Sequence, residues 1–176
     1  MEAQKGLIHL SCGDGKGKTT AAIGLSVRAV GRGFRVIFAQ FLKSMETGEI
    51  LPLQDLGVTV LRGQLPKGFT WELTGEQKEI LLEEHNKLFE KAVSLAGSGE
   101  NTLLVLDELI GAYAGGHIDR EAVLQFLRQK PPALEVVLTG RNPAAELIEL
   151  SDYLTEMQKR KHPMDEGILA RVGIEL

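Results

Sequence analysis

The chain has 176 residues, 43% of them hydrophobic and 25% charged, which suits one globular domain with a sizeable core and leaves too little chain for two. Its net charge of −4 argues against non-specific nucleic-acid binding, and no apolar run approaches the ~20 residues that span a bilayer. Cys12 is the single cysteine, which excludes an internal disulfide, and with no legible leader the expected setting is cytoplasmic.

Short apolar runs alternate with longer helical stretches, the pattern of parallel βαβ units in a single α/β domain over 1–176. The first strand, Leu7 to Leu10, runs into the glycine-rich stretch Gly13 to Gly17. A helix follows from Lys18 to about Val30, closed by Gly31 and Gly33. Strands are predicted at Arg35–Ala39 and Val58–Leu61. A long helix from Gly75 to Ala96 places Ile80, Leu81, Leu88, Val93 and Leu95 on a polar background. The uninterrupted apolar run Leu103–Leu106 reads as a central strand buried on both faces. Asp119 reads as the N-cap of a helix through Leu127. Beyond it come a strand at Val136–Thr139, a short helix from Pro143 to Leu150 and a sixth strand at Tyr153–Glu156. The charged stretch Lys159 to Gly167 reads as loop.

The strongest local signal is Cys12-Gly13-Asp14-Gly15-Lys16-Gly17-Lys18-Thr19-Thr20, set between a predicted strand and a predicted helix. Glycines there let backbone N–H groups converge on phosphate oxygens, and the helix N-terminus adds positive partial charge. Lys18 supplies a mobile full charge, and the Thr19 hydroxyl suits a Mg²⁺ ion. The usual spacing asks for glycine where Cys12 stands. As a thiol beside a phosphate site Cys12 could be reactive, but a cysteine ending a strand reads better as a small buried hydrophobe.

Asp107-Glu108 directly follows the buried fourth strand, where P-loop enzymes place an acidic residue for Mg²⁺ or its waters. The functional reading presumes that the phosphate loop lies on a neighbouring strand end. Asn86-Lys87 lies inside a helix, which argues against guanine specificity. To this point the residues describe a Mg²⁺–ATP site, and hydrolysis, phosphoryl transfer and rarer reactions stay open.

Gly13 to Ala22 followed by Arg28-Ala29-Val30-Gly31 resembles the opening of the bacterial ATP:corrinoid adenosyltransferases. Gln40-Phe41-Leu42-Lys43, Gly68-Phe69-Thr70-Trp71-Glu72, Leu106-Asp107-Glu108-Leu109, Leu138-Thr139-Gly140-Arg141 and Lys161-His162-Pro163-Met164-Asp165-Glu166-Gly167 follow in that family's order. The likeness spans Leu7 to Leu176, and the family's loop tolerates a non-glycine at the Cys12 position.

The resemblance implies a RecA-like P-loop fold with a mostly parallel sheet of about six strands, and a homodimer. It implies transfer of the 5′-deoxyadenosyl group of ATP to the cobalt of a reduced corrinoid, cobalamin or a precursor, with release of tripolyphosphate. An electron donor such as a reduced flavoprotein would supply the Co(I) state, and Mg²⁺ or Mn²⁺ would serve as cofactor. ATP contacts are expected from Gly13, Asp14, Gly15, Lys16, Gly17, Lys18, Thr19, Thr20 and Arg28. Thr19 with Asp107 or Glu108 would hold the metal, and Lys18, Thr19 and Glu108 would carry the chemistry. ATP would lie reversed relative to most P-loop proteins, with its sugar toward the corrin. Phe69 and Trp71 would wedge under the corrin and displace its lower axial ligand, and Arg141 would contact the corrinoid. His162 reads as a hydrogen-bonding loop residue, not a cobalt ligand. Many relatives carry an N-terminal stretch that can cover the site. This chain begins almost at its first strand, so closure is expected to rest on the Phe69 loop or a second subunit. The competing readings are a RecA-like ATPase or small-molecule kinase, and a non-catalytic nucleotide- or corrinoid-binding module.

Overall fold

The computed structural model describes residues 5–43, 45, 47–64 and 73–175. Its six strands are β1 (Ile8–Cys12), β2 (Arg35–Gln40), β3 (Thr59–Arg62), β4 (Thr102–Asp107), β5 (Glu135–Thr139) and β6 (Tyr153–Glu156). They form one sheet in the order β3-β2-β4-β5-β1-β6, with every pairing parallel. Each predicted strand is present with bounds shifted by at most two residues, β6 with none, and the RecA-like architecture follows. The order corrects one expectation. β1 and β4 are not neighbours, because β5 lies between the strand that feeds the phosphate loop and the strand that ends in Asp107.

The helices are α1 (Lys18–Val30), α2 (Ile50–Asp55), α3 (Gly75–Ala96), α4 (Leu109–Ala114), α5 (Arg120–Gln129) and α6 (Ala145–Leu150). Strand alternation sorts the core into two layers. Ile37, Leu104, Leu106, Val136 and Leu138 face α3 to α6, whereas Val36, Phe38, Leu103, Val105 and Val137 face α1 and α2. All six residues of β4 are buried, as its unbroken apolar run requires.

α3 starts with a capping box: the Thr74 hydroxyl accepts from Gln77 N–H, and the Gln77 side chain accepts from Thr74 N–H. Its inward face is Leu81, His85, Leu88, Phe89, Ala92 and Ala96. Ile80 and Leu95, expected on that stripe, lie outside it at 45% and 38% exposure. α2 and α4 escape a sequence reading for different reasons. α2 buries only Leu53 and so has no apolar face, while α4 is buried on nearly all sides and has no polar one. Among the described residues no helix is long and apolar enough to cross a membrane.

Candidate active site

The carboxyl ends of parallel strands are where open α/β sheets bind ligands. Here that rim carries the loop after β1, the Gln40–Lys43 turn after β2, Asp107-Glu108 at β4 and Thr139–Arg141 at β5. A cleft of about 1020 Å³ opens above them, lined by residues 14–20, Lys43, Glu49, Glu108 and Arg141 among others.

The turn from β1 into α1 depends on its glycines. Gly13 and Gly17 have φ of 103° and 118°, a left-handed region that side chains disfavour. At Gly15 the demand is for space, since a Cβ would lie 2.6 Å from the Met157 carbonyl oxygen. Gly15 N–H donates to that oxygen, and Met157 N–H donates to the Cys12 carbonyl at 2.8 Å. The segment leaving β6 is thereby laced along the phosphate loop. Asp14 adds a further tie by accepting from Lys159 N–H at 2.9 Å, a bond that holds its carboxyl below the usual range.

Lys18 opens α1 and is only 8% exposed, its ammonium donating to the Gly15 carbonyl at 2.7 Å. Burial pushes its pKa down, while the Glu108 charge opposes that shift. One residue on, the Thr19 hydroxyl donates to Asp107 Oδ1 at 2.9 Å.

Asp107 is fully buried and is the hub of the site. Its Oδ1 also accepts from the Thr139 hydroxyl at 2.6 Å, which spans the gap left by the interposed β5. Its Oδ2 accepts from Lys43 Nζ at 2.7 Å and, more weakly, from Gln40 Nε2 at 3.3 Å. Thr139 turns its oxygen to Glu108 as well, accepting from the Glu108 N–H at 2.9 Å. Glu108 adopts a left-handed φ of 61°, and burial together with the Asp107 charge raises its pKa. Glu49 binds Gln40 Nε2 at 2.8 Å. Burial would raise the Glu49 carboxyl, but hydrogen bonds from its backbone and from Gln40 outweigh it and hold the pKa low.

Sequence reasoning assigned no role to Thr139, Lys43, Gln40 or Glu49. The first three lie in the family-like runs Leu138–Arg141 and Gln40–Lys43, which were the available signal. His85 lies in none of these runs, and no local signal marks it. It is fully buried on α3, its Nδ1 bonded to the His117 carbonyl at 2.9 Å and its Nε2 accepting from Leu42 N–H at 3.2 Å. That geometry requires the neutral tautomer protonated on Nδ1, and burial lowers the pKa to about 4. Leu42 is held at φ 57° directly before Lys43.

The fold thus brings together Asp14 to Thr20, Asp107, Glu108 and Arg141. It does not bring Arg28 there. Arg28 is exposed in the last turn of α1, and ten residues at 1.5 Å rise put it ~15 Å along the helix from the phosphate loop. Cys12 is a buried hydrophobe whose thiol pKa is raised, first by burial and then by Glu156. His162 caps a short 3₁₀ turn, Pro163–Glu166, by accepting from Met164 N–H at 3.2 Å, and it lines the cleft. Phe69 and Trp71 lie outside the described residues.

The ligating atoms that Thr19 and Asp107 offer are oxygens, the kind a hard divalent ion takes beside phosphate. The position already accommodates a cation, since Lys43 Nζ sits 2.7 Å from Asp107 and 3.5 Å from Thr19 Oγ1. These residues therefore fit Mg²⁺ or Mn²⁺.

The sequence pattern of the ATP:corrinoid adenosyltransferase BtuR/CobO/CobP family matches residues 4–176. The chain belongs to this family. The enzyme is 39% identical to a corrinoid adenosyltransferase of Sinorhizobium sp. over 175 residues, covering 98% of this chain and 81% of that one. It is 32% identical over 173 residues to the corrinoid adenosyltransferase of Escherichia coli K12, covering 98% and 86%. Among solved structures, the cytoplasmic domain of EssC superposes with a TM-score of 0.54 at 17% identity, over 95% of this chain. The enzyme spans about a third of that structure, 34%, and the likeness speaks to the P-loop fold alone.

Proposed function

We propose that the enzyme grips the triphosphate of ATP in the Gly13–Thr20 loop and presents the ribose 5′ carbon to the cobalt of a Co(I) corrinoid, releasing tripolyphosphate. The observation that carries this reading is the meeting of Lys18, the Thr19–Asp107 pair and Arg141 on one cleft. Co(I) is a strong nucleophile, so no protein base has to activate it. The cobalt electron pair forms the Co–C bond while the C5′–O bond breaks and its pair leaves on the tripolyphosphate oxygen. Negative charge then collects on the leaving chain, and the site's contribution is alignment and charge neutralisation. Loop N–H groups, Lys16 and Lys18 face that chain. Thr19 with Asp107 or Glu108 would hold Mg²⁺, which supplies Lewis-acid stabilisation of the phosphates when bound. ATP lies reversed in this reading, so the sugar points out of the loop toward Arg141 and the corrin. Phe69 and Trp71 keep the lower face of cobalt free, a reduced flavoprotein supplies the electron, and the enzyme works as a cytoplasmic homodimer.

The test is anaerobic incubation with Mg²⁺–ATP and chemically reduced cobalamin. Formation of the Co–C bond changes the visible spectrum, and tripolyphosphate appears in equal amount. Orthophosphate release without the spectral change would instead identify an ATPase.

A further inference from the structure

The cation held by Thr19 and Asp107 in this structure is the ammonium of Lys43. It lies 2.7 Å from Asp107 Oδ2, 3.5 Å from Thr19 Oγ1 and 3.8 Å from Glu49 Oε1. Asp107 is fully buried, and its other oxygen is occupied by the Thr19 and Thr139 hydroxyls. A buried carboxylate needs a full opposite charge close by, and here Lys43 provides it.

The lysine is aimed from several directions. Its own carbonyl accepts from Arg62 at 3.1 Å, the Leu42 N–H before it is held by His85, and Phe41 N–H donates to the Asp107 carbonyl at 2.9 Å. Its side chain is nonetheless 23% exposed on the cleft wall, so the ammonium has room to move without unfolding the turn. Glu49 offers a second seat beside it.

We propose that Lys43 is an exchangeable counter-ion, which keeps divalent metal off the Thr19–Asp107 position until a polyphosphate enters the cleft and then moves onto the phosphate oxygens. The inference rests on the reading that Thr19 and Asp107 form the metal position. Two cations sharing one carboxylate at a few ångströms repel strongly where solvent screening is weak. A polyphosphate removes the conflict, because its oxygens ligate the metal and also accept the displaced ammonium. Metal and nucleotide would then enter together, and metal alone would bind poorly. Lys43 also becomes a third lysine on the phosphate chain, beside Lys16 and Lys18.

The test is Mn²⁺ titration of the full chain followed by electron paramagnetic resonance, with and without ATP. Wild type should bind Mn²⁺ much more tightly when ATP is present. Lys43→Met and Lys43→Gln should bind Mn²⁺ without nucleotide roughly tenfold or more tightly than wild type. Lys43→Arg keeps the charge and should match wild type. Unchanged nucleotide-free affinity in the Met and Gln variants overturns the proposal. So does wild-type affinity for Mn²⁺ that is equal with and without ATP, a result that needs no variant to fold. Wild type that binds no Mn²⁺ even with ATP would instead remove the Thr19–Asp107 metal assignment, and the proposal with it.

Discussion

Thr139→Val is the sharpest probe of the buried network. Valine nearly matches threonine in shape, so the change removes an oxygen without leaving a cavity. Two bonds are lost: the 2.6 Å donation to Asp107 Oδ1 and the 2.9 Å acceptance from Glu108 N–H. Thr139 and Asp107 are both fully buried, so water cannot replace the first bond. A hydrogen bond to a charged partner contributes about 1.5–3 kcal/mol, and an orphaned buried N–H costs about 1–3 kcal/mol more. The expected loss is thus about 2.5–6 kcal/mol, which at a urea slope of ~2 kcal/mol/M lowers the denaturation midpoint by about 1.3–3 M. Thr139→Ser keeps the hydroxyl and gives up one methyl, for about 1 kcal/mol. Urea titrations of the three proteins by circular dichroism make the comparison. Equal losses in the valine and serine variants would refute the reasoning, because packing and not the hydroxyl would then be what Thr139 contributes.

Three further outcomes are expected. The His85 pKa of about 4 lies below its ordinary 6.5, so the contribution of the buried neutral ring is complete above pH 6.5 and is lost as pH falls toward 4. Between pH 7 and pH 5 that loss is about 2 kcal/mol, and urea titrations at both values should show His85→Gln losing most of this dependence. In Gly15→Ala the new methyl meets the Met157 carbonyl 2.6 Å away, so the Gly15–Met157 bond breaks and the loop shifts. ATP affinity by calorimetry should fall by about tenfold or more, and an unchanged value would show that the loop does not need this contact. Replacing Phe69 and Trp71 together with alanine should spare ATP affinity while depressing turnover on Co(II) cobalamin, as followed by the visible spectrum.

The phosphate loop was legible because it is a local object. Strand, glycine turn, Lys18 and Thr19 lie within a dozen residues, and their mutual positions follow from chain geometry. The strands were legible because apolar runs bounded by turn residues carry their own signal, most clearly at Leu103–Leu106. The stripe of α3 was harder to read. Its inward face includes His85, Ala92 and Ala96, which a search for large apolar residues passes over in favour of Ile80 and Leu95. The terminal turn of α1 shows how a run of sequence can be separated in space. Arg28 belongs to the same motif-like run as the phosphate loop, but helix rise carries it away from the cleft.

Residue order thus determined the parallel α/β class, the phosphate loop and the acidic pair at the end of β4. What the tertiary structure alone decided is the neighbourhood of Asp107. Gln40 and Lys43 reach it from the end of β2, Thr139 from the end of β5 and Thr19 from the first turn of α1, and Glu49 joins them from the segment before α2. Nothing in local periodicity states that β5 inserts between β1 and β4, because lateral strand order arises from how crossover helices pack on the two faces of the sheet. That insertion brings the Thr139 hydroxyl to Asp107, the one fully buried carboxylate among the described residues.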